Sequence, residues 1–317
     1  MYDFVIAHTP EFANWVFNEK HPTQGRRFVH AYNRIQEYGS NQNLNFTTIY
    51  PQNATFDDLM ISHSKQYVDQ VLLQHECNEW VGKRPDLSNI ASLMVGASMA
   101  GLRSLIDGAT LTAINFAGAK HHAAYDHSSG FGVFNDFAIC ANIASKDYDM
   151  KVAILDVDAH HGDGTEDLVA TLPNVMHYSI HEWGIFPGTG LQSEPIYDTY
   201  NFPLDYQAGN DALYRGVDNF LHIAHKFNPD ILFVTLGADG HVTDPLSSLR
   251  YTINGFQSAL AEVRTQFPKT PILIGGAGGY QPDDFTPEMW SRGALSLVSG
   301  KVEKVSEYDT WAQSLTL

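Results

Sequence analysis

Apolar residues along this 317-residue chain fall into two rhythms. Short, nearly uninterrupted runs recur at YDFVIAH (2–8), LTAINF (111–116), KVAILDV (151–157), NVMHYSI (174–180), DILFVTLG (230–237) and TPILIGG (270–276). A strand apolar on both faces belongs in a sheet covered on both faces, which is where parallel sheets occur. Between the runs the period lengthens to that of a helix. Leu213, Val217, Phe220, Leu221, Ala224 and Phe227 stop at Asn228-Pro229, and Ile253, Phe256, Leu260, Val263 and Phe267 stop at Pro268. Ile90, Leu93, Met94, Ala97 and Gly101 mark a third stripe ahead of Asp107-Gly108. Strands alternating with helices predict an α/β fold, a doubly wound, mainly parallel sheet with helices on both faces. No linker, charge block, low-complexity segment or repeat divides the chain, so residues 1–317 are expected to form a single domain.

In such a sheet, ligands bind beyond the carboxyl ends of the strands, and that is where the unusual residues collect. LTAINF runs into AGAKHHAAYDHSSGFG, KVAILDV into DAHHGDG, NVMHYSI into HEWGIFPGTG, DILFVTLG into ADGHVTDP and TPILIGG into AGGYQPDDF. If the strand continued, Asp156, Asp158 and His160 would point to one side, with Val157 and Ala159 opposite. Carboxylates this close repel unless a cation lies between them. Asp-x-His alone is equally well explained as a solvated turn, but five converging loops favour a ligand pair. Asp239, at another strand end, is the candidate third ligand, and three protein ligands leave an open position typical of a catalytic metal. The adjacent His121 and His122 suit acid–base work if each ring is oriented by a carboxylate, for which Asp156 and Asp163 remain. Tyr280, after a glycine-rich turn, could offer its O–H to an oxyanion.

Composition narrows the function. Lys and Arg number 19 and Asp and Glu 36, so the net charge is 19 − 36 = −17, which disfavours direct contact with nucleic acid. No run of eighteen apolar residues and no basic-then-apolar leader occurs, so a soluble cytoplasmic protein without a membrane partner is expected. Cys77 and Cys140 are too few for a disulfide framework. No phosphate-cradling GxGxxG or GxxxxGK[ST] is present.

GAKHHA, SSGFGVFND, ILDVDAHHGDGTED, FPGTG, LGAD followed by DP, and GGAGGY occur in this order, with HPTQGRRF (21–28) and ISHSKQYVDQV (61–71) ahead of them. Together they resemble the zinc-dependent histone deacetylase and acetylpolyamine amidohydrolase superfamily, whose fold is the arginase-deacetylase type. The resemblance implies a metal-dependent amide hydrolase that removes acetyl or another acyl group from lysine in a protein or peptide, or from a small acylated amine. It places the metal ligands on Asp158, His160 and Asp239, and the general base and acid on His122, supported by Asp163. His121, supported by Asp156, becomes an electrostatic partner, and Tyr280 the carbonyl-polarising group. Substrate-channel walls fall on Gly130, Phe131 and Phe186, with Leu246 at the rim. A structural K+ is implied near Asp156, Asp158 and His160, with Ser179 and the backbone of Ile180. The donor set does not choose between Zn2+ and Fe2+.

Some positions depart from the family pattern. Gly118-Ala119-Lys120 replaces a common Pro-Pro-Gly, which should alter the rim, and Ala277 interrupts a run of glycines. An acidic loop residue that grips the substrate backbone in relatives is assigned to Asp86. His161 is expected to serve a structural hydrogen bond. Other functions weighed on the same residues are an acetylpolyamine deacetylase, disfavoured by Leu246 where a rim acid is expected; an arginase-type enzyme, disfavoured by His241 where a second carboxylate is needed; and a non-catalytic acyl-lysine binder, which should have lost a ligand or the tyrosine.

Overall fold

The computed structural model describes residues 1–305. Its strands are β1 (Phe4–Ala7), β2 (Phe46–Ile49), β3 (Thr112–Asn115), β4 (Val152–Asp156), β5 (Val175–Glu182), β6 (Thr199–Leu204), β7 (Ile231–Thr235) and β8 (Ile272–Gly275). The helices are α1 (Arg26–Asn41), α2 (Phe56–Leu59), α3 (Lys65–Asp69), α4 (Pro85–Ile106), α5 (Asp136–Tyr148), α6 (Asp163–Val169), α7 (Asn210–Phe227), α8 (Ile253–Gln266) and α9 (Phe285–Ser299). All eight strands form one parallel sheet in the order β2-β1-β3-β8-β7-β4-β5-β6.

All six strands expected from the apolar runs are present. The two that the runs did not announce, β2 and β6, are the two edges of the sheet. Their residues are mostly half-buried, so they lack the two-faced apolar signature, and Pro203 in β6 is tolerable only where a backbone N–H need not serve a further neighbour.

The period of two along β4 shows how the sheet is filled. Val152 and Ile154 join the core on one face with Phe137, Ala141 and Ala144 of α5 and Leu102 and Leu105 of α4. Ala153 and Leu155 join the other core with Leu213, Val217 and Phe220 of α7, Phe256 and Leu260 of α8, and Ala294 and Leu297 of α9. Helices therefore cover both faces. Among the described residues α4 alone has the length and apolarity of a membrane-crossing helix, and 67% of that window is buried inside the fold.

Register aligns the site. Asn115 pairs with Gly275, Gly275 with Thr235, Thr235 with Asp156, and Asp156 with Ser179. Strands β3, β8, β7, β4 and β5 thus reach one level before their following loops depart from the same edge of the sheet.

A buried histidine fixes the first of those loops. His63 donates from Nδ1 to the Ala124 carbonyl (2.8 Å), and its Nε2 accepts the Asn135 N–H (2.9 Å) just ahead of α5. Only the neutral ring makes both bonds. Burial accordingly pulls its pKa from 6.5 to about 4. The unfolded chain binds this proton first, so stability from His63 is complete above pH 6.5 and is lost as pH falls through about 4. That contribution is about 3 kcal/mol. An NMR titration should find the His63 ring unprotonated at pH 5.5; a midpoint near 6.5 would contradict the assignment.

Candidate active site

At the end of β4 the chain leaves the extended conformation, contrary to the simple strand expected through His160. Asp156 and Asp158 nevertheless hold it in order. Asp156 Oδ1 accepts the Asp158 N–H (3.0 Å), and Asp158 Oδ1 accepts the His160 N–H (3.0 Å). Each carboxylate hooks the backbone two residues on, as Asp does in Asx-turns.

Asp158, His160 and Asp239 converge, with one potential ligand atom from each lying within 4.8 Å of the others. His160 Nδ1 is 2.9 Å from Asp239 Oδ2 and 3.2 Å from Asp158 Oδ1. The carboxylates are anchored from behind: Asp239 Oδ1 accepts the Ala159 N–H (2.9 Å), and Asp158 Oδ2 accepts the Gly278 N–H (2.7 Å). Gly278 admits this approach because a Cβ there would stand 2.0 Å from Asp239 Oδ2. Burial and the adjacent Asp158 charge raise Asp239 to about 6. Burial also opposes ionisation of Asp158, but His121 and His160 outweigh it and hold that carboxyl below its usual range. Two buried carboxylates meeting one imidazole nitrogen fit a divalent cation, which would relieve their mutual repulsion. His241 takes no part: its Nδ1 bonds Thr243 Oγ1 (2.8 Å) and its ring stacks on Phe285.

Both histidines after β3 have their expected carboxylates. His121 Nδ1 is 2.7 Å from Asp156 Oδ2, and His122 Nδ1 is 2.6 Å from Asp163 Oδ1. The rings lie 4.0 Å apart yet differ in charge. Burial disfavours the cation at His121, but Asp156 and Asp158 outweigh it and raise the pKa to about 9. For His122, burial and the His121 charge prevail, lowering it to about 4. His121 Nε2 lies 3.7 Å from Asp158 Oδ1, so this imidazole bridges two carboxylates.

A cavity of about 350 Å³ opens over the cluster, lined by His122, Gly130, Phe131, His160, Ile185, Phe186, Leu246 and Tyr280. The four wall residues expected from the sequence are therefore brought together, with Ile185 added. The Phe186 ring packs edge-on against His122 (4.9 Å). Gly130 has φ +53°, and a Cβ there would lie 2.2 Å from the His122 ring, so both conformation and space require glycine. Burial, then Asp239 and Asp158, raise the Tyr280 phenol well above its usual range, so it stays a donor.

Other expectations resolve variously. His161 engages both ring nitrogens, with Thr189 Oγ1 (2.8 Å) and Glu166 Oε2 (2.9 Å), a structural role. Ser179 sits beside Asp156 in register and bonds His181 Nδ1 (2.9 Å). Asp86 does not reach the cavity: it pairs with Arg84 (2.7 Å) beside Glu11 and Asn89 at the start of α4. A charge two residues from a cation is spoken for locally, and sequence gave no other anchor. Glu79 lies beside the backbone of the wall residue Phe131: burial raises its carboxyl and the Phe131 N–H partly lowers it. Lys120 also departs from expectation. The Ala119 and Lys120 N–H groups donate to buried Asp136 (2.9 Å each), and the Lys120 side chain is buried against Phe28 instead of reshaping the rim.

Two residues went unassigned in the sequence. Asp244 accepts the N–H groups of Leu246 (3.0 Å) and Tyr280 (2.8 Å), tying rim to donor, and burial with nearby Asp239 raises it to about 8. Its only signal was the Asp-Pro pair after Asp239. Arg27 donates to the Gly279 carbonyl and lies with Cζ 5.6 Å from the Tyr280 ring centroid.

Residues 21–294 match the histone deacetylase domain family. The chain belongs to that family, and the parallel sheet with its buried Asp-His-Asp group is that of a deacetylase-family enzyme. It is similar to the acetoin utilization protein AcuC of Bacillus subtilis (strain 168), 29% identical over 92% of this chain and 81% of the relative. AcuC of Staphylococcus aureus (strain MRSA252) is 31% identical over 80% of this chain and 72% of its own length, and that of Staphylococcus xylosus is 26% identical over 96% and 85%.

Proposed function

We propose that this chain, acting as one catalytic domain, is a metal-dependent deacylase that hydrolyses the amide of acyl-lysine in proteins or peptides. The observation that carries this is the meeting of the Asp158–His160–Asp239 group, neutral His122 and protonated Tyr280 at one cavity walled by Phe131 and Phe186. Aromatic walls suit the methylene stem of a lysine, and the acyl amide would then reach the donors beneath. Relatives named for acetoin utilization support a substrate outside chromatin.

Zn2+ or Fe2+ held by Asp158, His160 and Asp239 would supply Lewis-acid polarisation of the acyl carbonyl and acidify water. The chain's own groups do the rest. Asp163 holds His122 with its other nitrogen free to take the proton of the attacking water and return it to the leaving amine. Tyr280 donates to the carbonyl oxygen as negative charge develops there. His121 keeps its positive charge between Asp156 and Asp158, steadying one of the two carboxylates that would hold the metal. A K+ near Asp156 and Ser179 would complete the support from behind.

Tyr280→Phe removes one oxyanion donor without changing shape. kcat on an acetyl-lysine peptide is expected to fall about 100- to 1,000-fold with KM little changed. An unchanged kcat in a zinc- or iron-loaded variant would remove Tyr280 from the mechanism. Acetylputrescine measured beside the peptide separates small-amine from lysine deacylation; the higher kcat/KM belongs to the peptide.

A further inference from the structure

The channel rim and the oxyanion donor stand on different loops that share one carboxyl group. Leu246 belongs to the loop after β7 and Tyr280 to the loop after β8. Asp244, 7% exposed, accepts the Leu246 N–H on Oδ1 (3.0 Å) and the Tyr280 N–H on Oδ2 (2.8 Å). The residue before it adds a second crosslink. Thr243 Oγ1 donates to Gln281 Oε1 (2.7 Å), and Gln281 Nε2 donates back to the Thr243 carbonyl (2.6 Å). Beside these bonds the His241 ring stacks on Phe285, with 4.5 Å between centroids. Successive residues of one loop thus meet successive residues of the other, 244 with 280 and 243 with 281.

The two loops differ in what else holds them. The rim segment is pinned independently: Ser247 Oγ donates to the Asp239 carbonyl (2.5 Å), and Glu182 at the end of β5 accepts both the N–H (2.8 Å) and the hydroxyl of Ser248. Tyr280 follows Gly278 and Gly279, and Gly279 has φ +137°, a conformation that residues with side chains rarely adopt. Backbone this permissive does not by itself fix the residue after it. The glycines are tied to Asp158 and Arg27, but the N–H of Tyr280 itself goes to Asp244. An oxyanion donor is effective only when it is already aimed where charge develops, and a misplacement of about 1 Å can cost roughly 100-fold in rate. Asp244 and Thr243 supply that constraint, with the pinned rim segment as their anchor.

We propose that Asp244, with Thr243, is a positioning element that aims Tyr280 from the substrate rim, so that the oxyanion donor and the grip at Leu246 are set by one carboxyl group. The proposal rests on the deacylase function above and concerns how its donor is held. Asp244 is not among the residues lining the cavity, so it acts through Tyr280 and Leu246. Its two bonds have separable consequences. Loss of the donor's aim lowers kcat, and a loosened rim raises KM.

The test is a double-mutant cycle on the full chain, loaded with zinc or iron and given an acetyl-lysine peptide. Asp244→Ala is expected to lower kcat about 10- to 100-fold in the wild-type background. In the Tyr280→Phe background, where no donor remains to be aimed, the same substitution should cost less than about three-fold. Metal content should be unchanged. A structural role alone predicts equal losses in both backgrounds, and that result overturns the proposal, as does full kcat in Asp244→Ala. Asp244→Asn, which keeps one acceptor oxygen, should recover part of the loss. Hydrogen exchange on the metal-free chain gives a readout independent of activity. The Tyr280 and Leu246 amides should exchange at least about ten-fold faster in Asp244→Ala, as loss of a hydrogen bond predicts, while the Gly278 amide, held by Asp158, keeps its protection. Unchanged protection at Tyr280 overturns the proposal. Should circular dichroism show Asp244→Ala unfolded, Thr243→Val, which removes the hydroxyl that bonds Gln281 and His241, takes its place in both experiments. If loaded wild type cleaves no acyl peptide, the deacylase function fails, and hydrogen exchange alone decides whether Asp244 holds the Tyr280 loop.

Discussion

Asp158→Ala is expected to lower affinity for Zn2+ or Fe2+ by more than about 100-fold, since losing a partner that merely orients a ligand already costs 10- to 100-fold. Deacylation should disappear with the metal. The side chain has two duties, and the variant separates them. One oxygen faces His160 and the other accepts the Gly278 N–H. Removing it strips a ligand from the metal site and leaves the N–H groups of His160 and Gly278 without their carboxylate, at about 1–3 kcal/mol of stability each. Asp158→Asn keeps an acceptor for Gly278 and loses the charge. If metal binding is what Asp158 provides, Asn should rescue the melting temperature and leave metal affinity low. Equilibrium dialysis with each metal decides this; undiminished binding by a folded Asp158→Ala chain would remove Asp158 from the ligand set.

The same division between local and distant partners explains what could be read from the chain. The six inner strands were visible because both faces are buried, so every residue reports the same environment. Edge strands β2 and β6 report solvent on one side and look like loops. At the site, Asp158, His160, Asp239, His121, His122 and Tyr280 were legible because strand ends of a parallel sheet converge, whatever the loop lengths between them. Asp156 and Asp163 followed from the need to orient two rings. Asp86 went astray because a rim acid has no such constraint: its partner, Arg84, is two residues away, while the cavity lies elsewhere. Lys120 was recognised as a departure but turned inward, since only packing shows that Phe28 and Arg27 lie on that side. Composition did not anticipate Asp244 either, because its role depends on backbone N–H groups contributed by Leu246 and Tyr280.

His122→Ala should lower kcat by about 100- to 10,000-fold, the range for losing a positioned general base, with metal content unchanged. The pH profile makes the test specific. His122 must be neutral to accept a proton, and its pKa of about 4 leaves it so across the neutral range. Activity carried by His122 should therefore fall only as pH drops toward 4. Two charges set that limit in opposite directions: His121 lowers the His122 pKa, and the Asp163 carboxylate raises it. Asp163→Asn removes the raising charge while leaving an oxygen that can still accept from Nδ1. The acid limb should then move to lower pH, and kcat should drop because a less basic imidazole takes the proton less readily. A purely structural role for Asp163 predicts lost activity at every pH with the limb in place. A limb that moves upward, or full activity in metal-loaded His122→Ala, would assign the proton to another group, and His121 is the one within reach at 4.0 Å between rings.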